Sequence, residues 1–301
     1  MRTRARFIVV AVVLPLVLVT VLSLGVSYHF TRPPKMLPGI PTAVVEQRFR
    51  DETTFATAGD VETKMLPVPL EEIVMETRSL AATGLSTREG RREICVRLFR
   101  DAGFDPIVTE EGDVVTFKEG LSADYVAVGA HYDKVNGPSQ GILDNMLACI
   151  LVAKTARTIR DEETHHGYLF LAYGDEETGR KIGSAIQPHR RESGRKPVHV
   201  IEIDYVGDKT GELGGRWLSP TGGAFIETGI KITTHPMPDP PTIHTERDNI
   251  DSVDFVRVQL AYKTVISLIE GIEQGIGLRP PDTVNFWRRE QPVNRKDGAE
   301  K

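Results

Sequence analysis

The chain of 301 residues has little cysteine, little tryptophan and no excess of basic charge. Its two cysteines, Cys95 and Cys149, fall inside apolar helical patterns and form no C-x-x-C pair. That excludes a thiolate metal site of this spacing and predicts two buried thiols rather than a disulfide. A formal net charge of −5 gives no electrostatic reason to expect nucleic acid as a partner. Lysine and arginine cluster only between Arg180 and Lys196, in a stretch that reads as a solvated face and loop. No internal repeat is evident. Length and an ordinary hydrophobic content of 40% therefore predict one large domain with appendages.

A long apolar run stands at the N-terminus, where FIVVAVVLPLVLVTVLSLGVSY follows MRTRAR. At roughly 20 residues it is long enough to cross the hydrocarbon core of a bilayer, and Pro15 is tolerable in a membrane helix. Arg2, Arg4 and Arg6 favour a cytoplasmic N-terminus, with the rest of the chain periplasmic or extracellular. Arg32 and Lys35 weaken that bias without reversing it. The competing expectation is a signal peptide cleaved near Ser23-Leu24-Gly25, which would release a secreted protein. We expect a retained single-pass transmembrane helix within residues 1–30, which makes the membrane a partner of the chain. Residues 31–65 then form a linker and stalk, whose Arg32–Thr42 stretch is proline-rich, stiff and extended.

From about Leu66 the pattern becomes regular. LEEIVMETRSLAAT places Ile73, Val74, Leu80 and Ala81 on one helical face, and Ser86 is positioned to cap a second helix ending near Gly103. Two short strands flank Glu111-Gly112. DYVAVGAHYD, HHGYLFLAYGDEE and PVHVIEIDYVG are apolar strands of the kind buried on both faces, and helical runs alternate with them. This is the signature of an α/β domain with a largely parallel sheet, whose ligand site lies at the carboxyl ends of the strands. The domain is expected to span residues 66–278, with a charged tail over 279–301.

Each buried strand ends on candidate metal ligands: His131 and Asp133, then Glu176 and Glu177, then Asp204. Asp144 opens the helix after the first strand, and His244 adds a second imidazole from a late loop. Zinc takes histidine nitrogen and carboxylate oxygen, and two metals bridged by one carboxylate can clamp a hydrolytic transition state. Asp133 follows His131 by two, so on a strand it points the same way and can orient the imidazole rather than bind metal. The adjacent Glu176 and Glu177 can divide the work of base and ligand.

These blocks resemble the zinc-dependent aminopeptidase family, the co-catalytic dizinc exopeptidases whose superfamily includes the glutaminyl cyclases. HYD at 131–133, GILDN at 141–145, EETGRKIGS at 176–184, DYVG at 204–207 and HTERD at 244–248 follow the family pattern in order. The resemblance implies a three-layer α/β sandwich around a central, largely parallel mixed sheet, of the phosphorylase/hydrolase-like, zinc exopeptidase type. It implies two zinc ions per chain, one on His131 and Asp204 and the other on Glu177 and His244, with Asp144 bridging. Glu176 would be the general base and Asp133 the orienting residue. About 40 residues separate Asp204 from His244, fewer than the pattern leads one to expect, which points to a reduced substrate-pocket wall.

The expected activity is hydrolysis of the N-terminal residue of a peptide that presents a free amino terminus. Two alternatives stand beside it. One is a glutaminyl cyclase-like aminoacyltransferase with a single zinc on Asp144, Glu177 and His244; the other is a non-catalytic ectodomain of the same fold. Outside the blocks, His165, His166, His189, His199 and His235 read as surface or loop residues, Tyr132 as strand filler, and Asp248 as a support for the His244 loop.

Overall fold

The computed structural model describes Met65 and residues 67–83, 85–210, 213–217, 228–234, 242–277 and 285–287. The expected membrane anchor and nearly all of the linker lie outside the described residues. Among the described residues no helix is long and apolar enough to cross a membrane.

Two helices come first, α1 (Leu70–Ala82) and α2 (Arg88–Asp101). α1 buries Ile73, Thr77 and Leu80, the 3.6-residue stripe expected of a helix with one covered face. Thr87, not Ser86, caps α2: its Oγ1 accepts the Gly90 amide at 3.0 Å. Ser86 stands one residue too early, because the first helical residue is Arg88. The hairpin around Glu111-Gly112 forms from β1 (Ile107–Val108) and β2 (Val114–Lys118). There follow β3 (Tyr125–His131), α3 (Leu147–Ile159), β4 (Gly167–Tyr173), α4 (Ile182–Ser193) and β5 (Pro197–Ile203). The last elements are β6 (Gly214–Trp217), β7 (Thr228–Thr233), α5 (Phe255–Glu273) and β8 (Asn285–Trp287). β8 lies beyond the boundary expected at residue 278, so the sheet draws in part of the expected tail.

The strands make one mixed sheet in the order β1-β2-β4-β3-β5-β7-β6-β8. Its centre, β4-β3-β5-β7, is parallel, while β1, β2 and β4 pair antiparallel, as do β6 and β7. β3 and β4 are buried along their whole length, which explains their uninterrupted apolar sequences. Alternate residues serve opposite faces. Val126, Val128, Tyr168 and Phe170 join the large core with α1, α2, α3 and α5. Tyr125, Ala127, Leu169, Leu171 and Val200 pack under α4 with Ile182, Ala185 and Ile186. Gly129 lets α4 come close, since a Cβ there would stand 2.7 Å from Leu171 Cδ2 and 3.0 Å from Ile182 Cδ1.

The connections decide where a site can form. The chain leaves β3, crosses through α3 to β4 on one side, then returns through α4 to β5 on the other side of β3. Right-handed crossovers in opposite directions put α3 and α4 on opposite faces. The carboxyl end of β3 is therefore the switch point, where loops diverge and leave a crevice. His131 is the last residue of β3.

Candidate metal centre

The three parallel strands deliver their polar ends to this crevice. His131 ends β3, Asp204 directly follows β5, and the turn carrying Glu176 and Glu177 follows β4. Asp144 sits in the turn Ile142–Met146 with φ −123° and ψ 81°, a non-helical conformation. Its carboxylate makes no capping bond to α3 and is free to serve the crevice. His244 arrives from the loop before α5.

The five expected ligands converge in two groups that share Asp144: His131, Asp144 and Asp204, and Asp144, Glu177 and His244. His131 Nε2 lies 3.2 Å from both Asp144 Oδ1 and Asp204 Oδ1. His244 Nε2 lies 3.1 Å from both Asp144 Oδ2 and Glu177 Oε2. Each oxygen of Asp144 thus faces a different imidazole. Donors about 2.0 Å from one ion at tetrahedral angles stand about 3.3 Å apart. The spacings in both groups therefore fit zinc, and the nitrogen and oxygen donor set suits it as well. Glu177 Oε1 is buried without a hydrogen-bond partner, a condition a cation would relieve.

The electrostatics point the same way. Burial and the charge of Asp144 push Glu177 up to about 7. Burial works against a charge on His131, yet contacts with Asp133, Asp144 and Asp204 together hold its pKa well above the usual imidazole value. So much carboxylate converging on two imidazoles calls for a cation.

Asp133 does more than its spacing suggested. One oxygen lies 3.4 Å from His131 Nδ1, near enough for an ion pair but without hydrogen-bond geometry. The same carboxylate accepts the Glu176 amide on Oδ1 and the Glu177 amide on Oδ2, both at 3.2 Å. It ties the β3 end to the turn after β4. Glu176 does not join either ligand group. Its Oε1 lies 2.6 Å from Nζ of the exposed Lys181. Asp175, in the same turn, makes a two-point ion pair with Arg88 at 2.6 and 2.8 Å.

Buried polar groups hold the loops. Arg91 of α2 donates to the carbonyl oxygens of Tyr132, Gln140 and Gly141, so one guanidinium fastens both ends of the loop between Asp133 and Asp144. Asp248 accepts from Ser139 Oγ and the Leu143 amide, both at 2.7 Å, so it ties the His244 loop to the segment that leads into Asp144, and burial raises its pKa to about 6. Asp208 receives the hydroxyls of Tyr205 and Thr242, which fastens the start of the His244 loop. Tyr132 is fully buried and donates to the Gly112 carbonyl at 2.9 Å. Cys95 and Cys149 are free, buried thiols.

Sequence reasoning missed Glu202 and Lys231. Lys231 Nζ lies 2.5 Å from Asp204 Oδ2 and 3.4 Å from Glu202 Oε2, and Tyr173 donates its hydroxyl to Glu202 Oε1 at 2.5 Å. All three side chains are buried. The signal was present: a charge inside each of the apolar strands VIEI and GIKIT asks for a partner.

The model of peptidase family M28 matches residues 114–214, a span that holds His131, Asp133, Asp144, Glu176, Glu177 and Asp204 but not His244. No curated protein sequence matches. Among solved structures the chain is similar to a leucine aminopeptidase precursor from Bacteroides thetaiotaomicron, at 13% identity and TM-score 0.56, covering 69% of this chain and 99% of that one. A glutaminyl cyclase from the same organism, bound to N-acetylhistamine, aligns at 12% identity and TM-score 0.55, covering 69% and 99%. Of BSAP, a zinc aminopeptidase from Bacillus subtilis, the chain spans about half the length: 49% of that chain and 54% of this one, at 18% identity and TM-score 0.45. At these identities the first two structures speak for the fold alone. The family that the motifs resemble is the one whose model matches residues 114–214, peptidase family M28.

Proposed function

We propose that the chain is a zinc-dependent aminopeptidase that removes the N-terminal residue of peptides. The observation that carries this reading is the position of Asp144, whose two oxygens face His131 and His244 at 3.2 and 3.1 Å. His131 and Asp204 would hold one zinc, Glu177 and His244 the other, and Asp144 would bridge them. Zinc bound there supplies Lewis acidity to the scissile carbonyl and lowers the pKa of the attacking water.

The protein's own groups do the rest. Glu176 takes the proton of the attacking water and delivers it to the departing amine. Lys181 must first swing away from Glu176 Oε1, which its exposed side chain is free to do. Asp133 fixes His131 and, through two amides, the position of Glu176 beside the ligand Glu177. In this reading the apolar run near the N-terminus anchors the domain on the outer side of a membrane, where peptides with free amino termini reach it.

The test is hydrolysis of aminoacyl arylamides by the full chain, with chelator and after zinc is restored. Activity should vanish and return; cleavage indifferent to the chelator would contradict the metal mechanism. A second reading, a single-zinc glutaminyl cyclase, is favoured by one observation. Asp144, Glu177 and His244 make a complete group, while Asp204 of the other is already paired with Lys231. Ammonia release from N-terminal glutaminyl peptides, without arylamide cleavage, would select it.

A further inference from the structure

We propose that Lys231 is a built-in counter-cation that competes with a divalent ion for Asp204, making the His131–Asp204 half of the site the weaker of the two. This rests on the metal reading above and concerns how unequally the two halves hold their ions.

Position argues first. On β7, Ile230 and Ile232 point into the core under the helices, so Lys231 lies on the opposite face of the sheet. Its Cα partner across the ladder is Glu202 of β5, and Asp204 stands two residues further along the same chain. The next strand, β3, presents Gly129 opposite Glu202 and adds no side chain of its own there, and Tyr173 of β4 reaches Glu202 across it. The result is a row across the sheet, Tyr173–Glu202–Lys231–Asp204, whose first three members are buried and whose last is an expected metal ligand.

Charge argues second. Asp204 divides its carboxylate between Oδ1, 3.2 Å from His131 Nε2, and Oδ2, 2.5 Å from the ammonium. A cation on Oδ1 and the ammonium on Oδ2 would share one carboxylate at close range. In a buried site water screens that repulsion poorly. The other half differs. Among the described residues Glu177 and Asp144 form ion pairs with histidines only. Glu202 compensates part of the ammonium charge, so the competition is graded rather than absolute.

The experiment is a zinc titration of the full chain against a chromophoric chelator, with the folded state checked by circular dichroism and thermal melting. Wild type should show two affinity classes at least about tenfold apart. Lys231→Met should raise the weaker class by about tenfold or more and leave the tighter one within about threefold. Lys231→Arg should keep the gap. Glu202→Gln, which removes the compensating carboxylate, should widen it, and it carries the test if Lys231→Met does not fold. A purely structural lysine would instead lower the melting temperature and weaken both classes together. Equal classes in wild type, or a gap unmoved by both variants, overturn the proposal while leaving the metal reading intact. Absence of any zinc binding overturns both.

Discussion

The two halves of the candidate site are held by different means. His131 and Asp204 grow from the ends of adjacent parallel strands, and the His131 ring is 1% exposed. The ladder of backbone hydrogen bonds fixes their positions before any side chain contributes. Glu177 and His244 stand on a turn and a loop, and the His244 ring is 43% exposed. No ladder reaches them, so buried carboxylates do that work: Asp133 for the turn, Asp248 and Asp208 for the loop. A rigid scaffold thus carries one ligand set, and a braced, more open rim carries the other. The open side is the one that solvent reaches.

Substitutions can break this comparison or sharpen it. Asp144→Ala strikes both halves at once, since each half uses one of its oxygens. Metal content should fall at both, and arylamide hydrolysis should drop by more than about 10³-fold, as measured by elemental analysis and steady-state rates. Glu176→Gln should lower kcat by about 10²–10⁴-fold with metal content unchanged, because the base belongs to the rim but to neither ligand group. Unchanged activity would mean that Glu176 is not the base.

Asp248→Ala cuts the tie between the His244 loop and the segment that leads into Asp144. It leaves the Ser139 hydroxyl and the Leu143 amide without their acceptor in a buried place. Denaturant unfolding should show a loss of about 1–3 kcal/mol, with zinc affinity reduced at both halves and more at the His244 half, whose loop loses its tie as well. The smallest effect belongs to a pair outside both halves. Arg88 and Asp175 are each about 40% exposed, so Arg88→Met should change stability by about 0–1 kcal/mol despite the two-point geometry. A larger loss would mean that the turn carrying Glu176 and Glu177 depends on Arg88 as well as on Asp133.

The same contrast separates what was legible in the sequence from what was not. β3 and β4 could be read directly, because strands buried on both faces leave uninterrupted apolar runs with polar ends, and β5 by a mostly apolar run that His199 and Glu202 interrupt. Asp133 was legible by its spacing from His131, though not its bonds to the Glu176 and Glu177 amides, which depend on how two strand ends meet. His244 has no periodic context, and only the order of the motif blocks singled it out. Lys231 and Glu202 escaped because their partnership runs across β5 and β7, a pairing that sequence order alone does not reveal. Thr87 took the cap expected of Ser86 because helix ends are decided by one residue's backbone geometry. β8 lies in a charged tail whose short apolar stretch, Asn285–Trp287, carries no periodic signal.

The most direct measurement is an anomalous difference map at the zinc edge from crystals of the zinc-loaded protein. The account predicts two peaks, one among His131, Asp144 and Asp204 and one among Asp144, Glu177 and His244, with the first the weaker at limiting zinc. A map without peaks at these groups, or with zinc held elsewhere, would contradict it.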